Sequence, residues 1–143
     1  MYKKETSEPV THSSFELSSL NKLDENNRWV IMSELIPWGE FEEEYAANFD
    51  KEMGAPAKSF RIALGALIIK EKLGITDRET VEQIKENAYL QYFIGLSKYC
   101  NEIPFDSSLM VKFRERIPME TVNKINKKMV KKTVKIMKKQ KVK

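Results

Sequence analysis

Cysteine and histidine are almost missing from this 143-residue chain, which has only Cys100 and His12. A single cysteine excludes an internal disulfide, and one of each leaves no Cys/His set for a zinc-like ion. Such a chain suits a reducing cytoplasm. Glycine and proline number five each, few for a turn-rich β architecture. The longest apolar run, Ile62 to Ile69, is far short of the ~20 residues of a membrane span. The start at Met1-Tyr2-Lys3-Lys4 leads into no apolar core of signal-peptide length. Alternating strand patterns, internal repeats and glycine-rich phosphate loops are missing too. These absences predict a soluble, cytoplasmic, all-α protein with no membrane association.

What is present is a core and a charge gradient. Hydrophobic residues at 41% and aromatics at 10% suit one folded domain, while the charged fraction of 32% exceeds the usual quarter. Residues 1–57 carry 5 Lys or Arg against 12 Asp or Glu, residues 58–117 carry 10 against 8, and residues 118–143 carry 10 against 1. The net charge of +4 therefore conceals an acidic front and a strongly basic tail. That asymmetry points to an anionic partner for the tail, or else to a solvated lysine-rich helix end.

Residues 1–22 are polar and aperiodic and read as a loose or disordered leader. Asp24 or Asn26 can cap a helix over 28–36 that Pro37 ends. From Trp38 to about Phe49, the apolar residues Trp38, Phe41, Tyr45 and Phe49 share one face, opposite Glu40, Glu42, Glu43 and Glu44. Asp50 to Ala57 reads as a linker. The stretch from Ser59 to Leu73 is apolar on most sides and predicts a buried central helix stopped by Gly74. Gly65 inside it implies a close crossing.

Thr76-Asp77-Arg78-Glu79 fits a capping box that starts a helix over 77–86. An aromatic knot, Tyr89, Leu90, Tyr92 and Phe93, follows over 88–94. It reads as core, with base stacking as the alternative. Asp106 or Ser107 then caps a helix to about Ile117, with Leu109 or Met110, Phe113 and Ile117 inward. Pro118 suits the first position of a last helix to about Lys138, with a stripe of Val122, Ile125, Met129, Val130, Val134 and Met137. The expected architecture is a compact bundle of five to six helices with a helix-turn-helix-like element. Its divisions are a leader (1–22), a helical domain (23–117) and a lysine-rich linking helix (118–143).

No catalytic constellation stands out. The glutamates at 40–44 point in different directions around a helix and do not converge on one ion. His12 has no evident partner. Cys100 has no histidine nearby in sequence, and an inert thiol fits it best. The helix to Ile117 is the best candidate for nucleic acid. Lys112, Arg114 and Arg116 can neutralise phosphates, and the hydroxyl of Ser108 at its start can bond a phosphate or a base edge. Lys124, Lys127, Lys128 and Lys131 of the last helix extend that basic set.

The block from Gly54 to Ile117 resembles the N-terminal domain of bacterial insertion-sequence transposases, the InsH-like type that precedes a DDE catalytic domain. The resemblance is carried by Gly54-Ala55-Pro56-Ala57-Lys58, Leu64-Gly65-Ala66-Leu67-Ile68-Ile69-Lys70, and Thr76-Asp77-Arg78-Glu79-Thr80-Val81-Glu82-Gln83-Ile84. It continues through Glu86-Asn87, Tyr89-Leu90-Gln91-Tyr92-Phe93, Gly95-Leu96, Pro104-Phe105-Asp106-Ser107-Ser108-Leu109 and Phe113-Arg114-Glu115-Arg116. The family often has proline where Ala88 and Ser107 stand. The resemblance implies a DNA-binding region that recognises the terminal repeats of a mobile element during transposition. It also implies a later RNase H-like domain with three acidic, metal-binding catalytic residues, none assignable within these 143 residues. The expectation is a non-enzymatic chain without a cofactor, with double-stranded DNA as partner and divalent metal needed only by that further domain. The rival expectations are a helical self-association module of the transposition complex and a non-functional remnant.

Overall fold

A computed structural model describes residues 11, 14, 15, 22–47 and 59–141, with backbone alone at 44–47 and 134–141. Seven helices are described: α1 (Arg28–Leu35), α2 (Trp38–Ala47), α3 (Phe60–Leu73), α4 (Asp77–Glu86), α5 (Ala88–Phe93), α6 (Leu109–Arg116) and α7 (Met119–Lys141). Six of them, α1 to α6, fall in the expected helical domain over 23–117, and α7 is the expected long lysine-rich helix. The expected all-α class holds. The expected linker over 50–57, most of the leader, and the side chains of Tyr45, Val134 and Met137 lie outside the described residues.

α3 is central because its sequence leaves it no polar face over its first turns. Phe60 and every residue from Ala63 to Ile69 are buried. Ser59 Oγ accepts from the Ile62 amide at 3.3 Å, which starts the helix. Gly74 ends it at φ 63°, a left-handed conformation that costs a glycine little. α2, α4 and α6 pack around α3, while α1 contacts α5 and α7. Gly65 permits a close approach: a Cβ built there would stand 2.9 Å from Ile94 Cγ2 and 3.3 Å from Ile94 Cα. The crossing expected at Gly65 is therefore with the C-terminal end of α5.

The caps follow short polar signals, with some shifts. Asn27, not Asp24 or Asn26, caps α1, its Oδ1 accepting from the Trp29 amide at 2.8 Å. Asp24 instead spends its carboxylate on the Asn26 amide one turn earlier. Thr76 Oγ1 accepts from the Glu79 amide at 3.1 Å, which is one half of the expected capping box; the reciprocal bond from the Thr76 amide to the Glu79 carboxylate is not made. The carboxylate of Glu79 accepts from Gln83 Nε2. Asn87 ends α4 and starts α5, its side chain accepting from the amides of Tyr89 and Leu90.

The aromatic knot is core. Phe93 is fully buried, with the rings of Trp29 and Trp38 edge-on to it at 5.2 and 5.6 Å. Arg61 of α3 donates to the carbonyls of Tyr92 and Phe93, the last residues of α5, each at 3.0 Å. A cation there complements the negative end of that helix. A smaller cluster forms on the outer side of α1 and α5 from Leu23, Val30 and Tyr92. Phe15 of the leader joins it, its ring 6.0 Å from that of Tyr92.

Candidate nucleic-acid interface

α6 is held by one face. Met110, Phe113 and Ile117 are buried, and the Phe113 ring meets that of Phe105 edge-on at 5.2 Å. This is the stripe that the sequence predicts, and Met110 rather than half-buried Leu109 occupies its start. The turn into α6 is set by Asp106, whose Oδ1 accepts from the Ser108 amide at 2.9 Å and whose carbonyl accepts from Leu109. The Ser108 amide, followed by its hydroxyl, holds the Asp106 carboxyl below its ordinary pKa, with Arg78 of α4 adding a weaker pull. Ser108 is exposed and already helical, so its polar atoms face Asp106 at the helix start.

The loop before α6 is fastened by a residue that the sequence reading passed over. Gln91 lies inside the aromatic knot and is 1% exposed. Its Nε2 donates to the carbonyls of Ile84, Lys85 and Cys100, and its Oε1 accepts from the Cys100 amide at 2.8 Å. One amide thus joins the end of α4 to the loop that leads into α6. A lone polar residue within an apolar run is the available signal, since burial requires its hydrogen bonds to be satisfied.

Arg114, expected as a phosphate contact, is committed within the fold. Its guanidinium grips Asp77 through two parallel bonds of 2.7 and 2.9 Å, joining α6 to the first turn of α4. Lys70 of α3 stands 3.8 Å from the same carboxylate. The hydrogen bond from Arg114 holds the Asp77 carboxyl below its ordinary pKa, against partial burial and with the charges of Arg114 and Lys70 assisting. The same bond raises the pKa of Arg114. Arg116 is partly buried and also engaged. Lys112 is exposed, as are Val111 and Glu115 beside it.

The first turns of α7 pack on the core through Val122, Ile125 and Met129. Val130 departs from the predicted stripe at 62% exposure, because one residue past Met129 turns about 100° away. Lys124, Lys127 and Lys131 lie on the opposite side and are exposed. Lys128 turns to α2, where its Nζ pairs with Glu40 and stands 5.2 Å from the Phe41 ring centroid. Among the described residues, Lys112, Lys124, Lys127 and Lys131 therefore remain without a counter-ion. Arg114 and Lys128 are taken by acidic partners that sequence spacing could not reveal.

Among the described residues no three His, Cys, Asp or Glu side chains gather to hold a metal ion. A cleft of about 460 Å³ is lined by the apolar Leu67, Ile75, Ile117, Met119 and Val122 together with the charged Lys70, Glu71 and Arg114. No helix of the described residues is long and apolar enough to cross a membrane.

Comparison with known proteins adds a family. Residues 17–116 match the transposase domain family DUF772. The chain is 35% identical over 88 residues to the uncharacterized protein ORF8 in the nfe locus of Rhizobium meliloti. The match takes in 62% of this chain and 42% of that relative, so the chain spans less than half the length of the relative it matches. No solved structure matches it.

Proposed function

This chain belongs to the transposase domain family DUF772, and from that premise we propose that it binds double-stranded DNA at the ends of a mobile element. The observation that carries the reading is the set of exposed lysines without counter-ions, Lys112 on α6 and Lys124, Lys127 and Lys131 on α7. Like charges along one helix face repel one another and oppose the compact state, whereas a phosphate backbone is bound through them with release of counter-ions. Arg114 acts here as a positioning group for α6, with Arg116 at its other flank. Binding needs no cofactor. The reading assigns no step of strand cutting or joining to any residue of this chain.

The test is a salt titration of binding to a duplex carrying the sequence that flanks the reading frame in its source DNA. Affinity should fall steeply as salt rises. Changing Lys112, Lys124, Lys127 and Lys131 to Ala together should flatten the slope of log affinity against log salt by roughly 3 to 4, at about 0.9 per phosphate contact. Glu40→Gln should release Lys128 and steepen it by about 1. No binding at low salt, or binding indifferent to salt, refutes the proposal.

A second reading, self-association, is favoured by one feature. A groove of about 390 Å³ between α1 and α7 is lined by Ile31, Met32, Leu35, Met129 and Val130. Ile31 and Val130 are 44% and 62% exposed. Sedimentation without DNA separates the two readings, because a concentration-independent monomer removes self-association and leaves DNA binding intact.

A further inference from the structure

The outward face of α6 holds a set of side chains that the fold does not use. Val111 and Glu115 are four residues apart, and Lys112 and Glu115 are three apart, so the three side chains form one patch. All three are exposed, and neither Lys112 nor Glu115 makes an ion pair among the described residues. Val111 is 47% exposed. As a β-branched residue it is a poorer helix former than alanine, and on this face about half of it stays in solvent. The flanks of the patch are fixed: Arg114 is clamped to Asp77 on one side, and partly buried Arg116 lies on the other. The helix behind is anchored by Met110, Phe113 and Ile117. The patch is thus rigidly presented and carries three different chemistries: a pair of methyl groups, a cation and a carboxylate.

We infer that α6 reads base edges in the major groove through Val111, Lys112 and Glu115. The inference rests on the DNA-binding reading and deepens it. Charge complementarity selects the occupant, because α6 presents exposed Lys112 without a counter-ion among the described residues and is followed directly by α7 with its exposed Lys124, Lys127 and Lys131. Each member of the patch has a distinct counterpart in the groove. The Val111 methyl groups suit the thymine C5-methyl, the Lys112 ammonium suits guanine O6 and N7, and the Glu115 carboxylate suits the cytosine amino group. Glu115 also supplies discrimination. A carboxylate facing DNA weakens binding wherever it meets no amino donor, so it rejects wrong sequences rather than adding general affinity. Arg114 and Ser108 play no direct part, since both face Asp residues of the fold.

The experiment is selection of duplexes from a randomised library by the full chain, followed by replacement of each consensus thymine with uracil, which removes only the methyl group. One thymine should prove sensitive, weakening binding by the wild type roughly fourfold, the loss of one buried methyl contact. Val111→Ala should lose that sensitivity while keeping its salt slope, and its far-ultraviolet circular dichroism should be unchanged because the residue is exposed. Glu115→Gln should relax the preference for cytosine at one neighbouring position. Salt-dependent binding without a consensus overturns the inference and leaves the DNA-binding proposal standing. So does tolerance of uracil at every position, or a Val111→Ala variant that remains sensitive. Failure to bind any duplex overturns both.

Discussion

Replacing Gln91 by methionine keeps the length and volume of the side chain and removes its four hydrogen bonds. The loss is not uniform across its partners. The Ile84 carbonyl keeps the Asn87 amide at 3.3 Å. The Cys100 amide and carbonyl lose the partner that holds them at 2.8 Å, and the Lys85 carbonyl loses one at 3.2 Å. A buried polar group left unpaired costs about 1–3 kcal/mol. Cys100 is exposed as a residue, so water can recover part of that cost. The balance is a destabilisation of about 2–3 kcal/mol, measurable as a lower urea midpoint at unchanged m-value. The same change should raise hydrogen exchange at the Cys100 amide by roughly 30- to 100-fold, at about 1.4 kcal/mol per decade. Gln91→Glu should be worse at neutral pH, because it turns an oxygen instead of a donor toward three carbonyls. A methionine variant as stable as the wild type, or a Cys100 amide whose protection is unchanged, would show that this amide does not fasten the loop.

Two further outcomes follow from single contacts. Gly65→Ala gains about 1 kcal/mol of helix propensity but drives a methyl to 2.9 Å from Ile94 Cγ2 and 3.3 Å from its Cα. Overpacking of that kind costs about 1–3 kcal/mol. The variant should be destabilised by about 1 kcal/mol in urea unfolding, and a more stable protein would mean that α5 yields without cost. For Asp77, the folded pKa lies below the unfolded value near 3.8. Its contribution to stability is therefore complete above that value and is lost as pH falls through the lower, folded one. The pair is partly exposed, so Asp77→Asn should cost about 0.5–1 kcal/mol at neutral pH. Unfolding measured at a series of pH values should show this gap closing at acid pH, and a gap that widens there would contradict the pairing.

Local order was legible wherever a short polar signal met a long apolar pattern. Ser59 and Gly74 bracket α3 so clearly that both of its ends follow from sequence, and Thr76 with Glu79 does the same for the start of α4. Caps were less legible where several Asx residues are crowded together. Asp24, Asn26 and Asn27 all offer side-chain oxygens, and the extended backbone of Asn27 decides among them. The stripe of α7 was legible at Val122, Ile125 and Met129. At Val130 the hydrophobic residue lies off the buried face, and composition alone cannot distinguish that from a core position.

The candidate interface was legible as a list of cations but not as an electrostatic surface. Arg114 and Asp77 are separated by 37 residues, and Lys128 and Glu40 by 88, so no spacing rule connects them. Only the packing of α3 between α4 and α6, and of α2 beside α7, brings each pair together. Once paired, Arg114 and Lys128 contribute less to an outward field than their charges suggest. The basic character of the surface then rests on Lys112, Lys124, Lys127 and Lys131. This changes what a charge count means for the chain. Its acidic front is not merely opposed to its basic tail, because Glu40 of α2 draws Lys128 inward and subtracts it from the face left for an anionic partner. On the proposed DNA-binding reading, the affinity of that face therefore depends on α2 as well, through the Glu40–Lys128 pair.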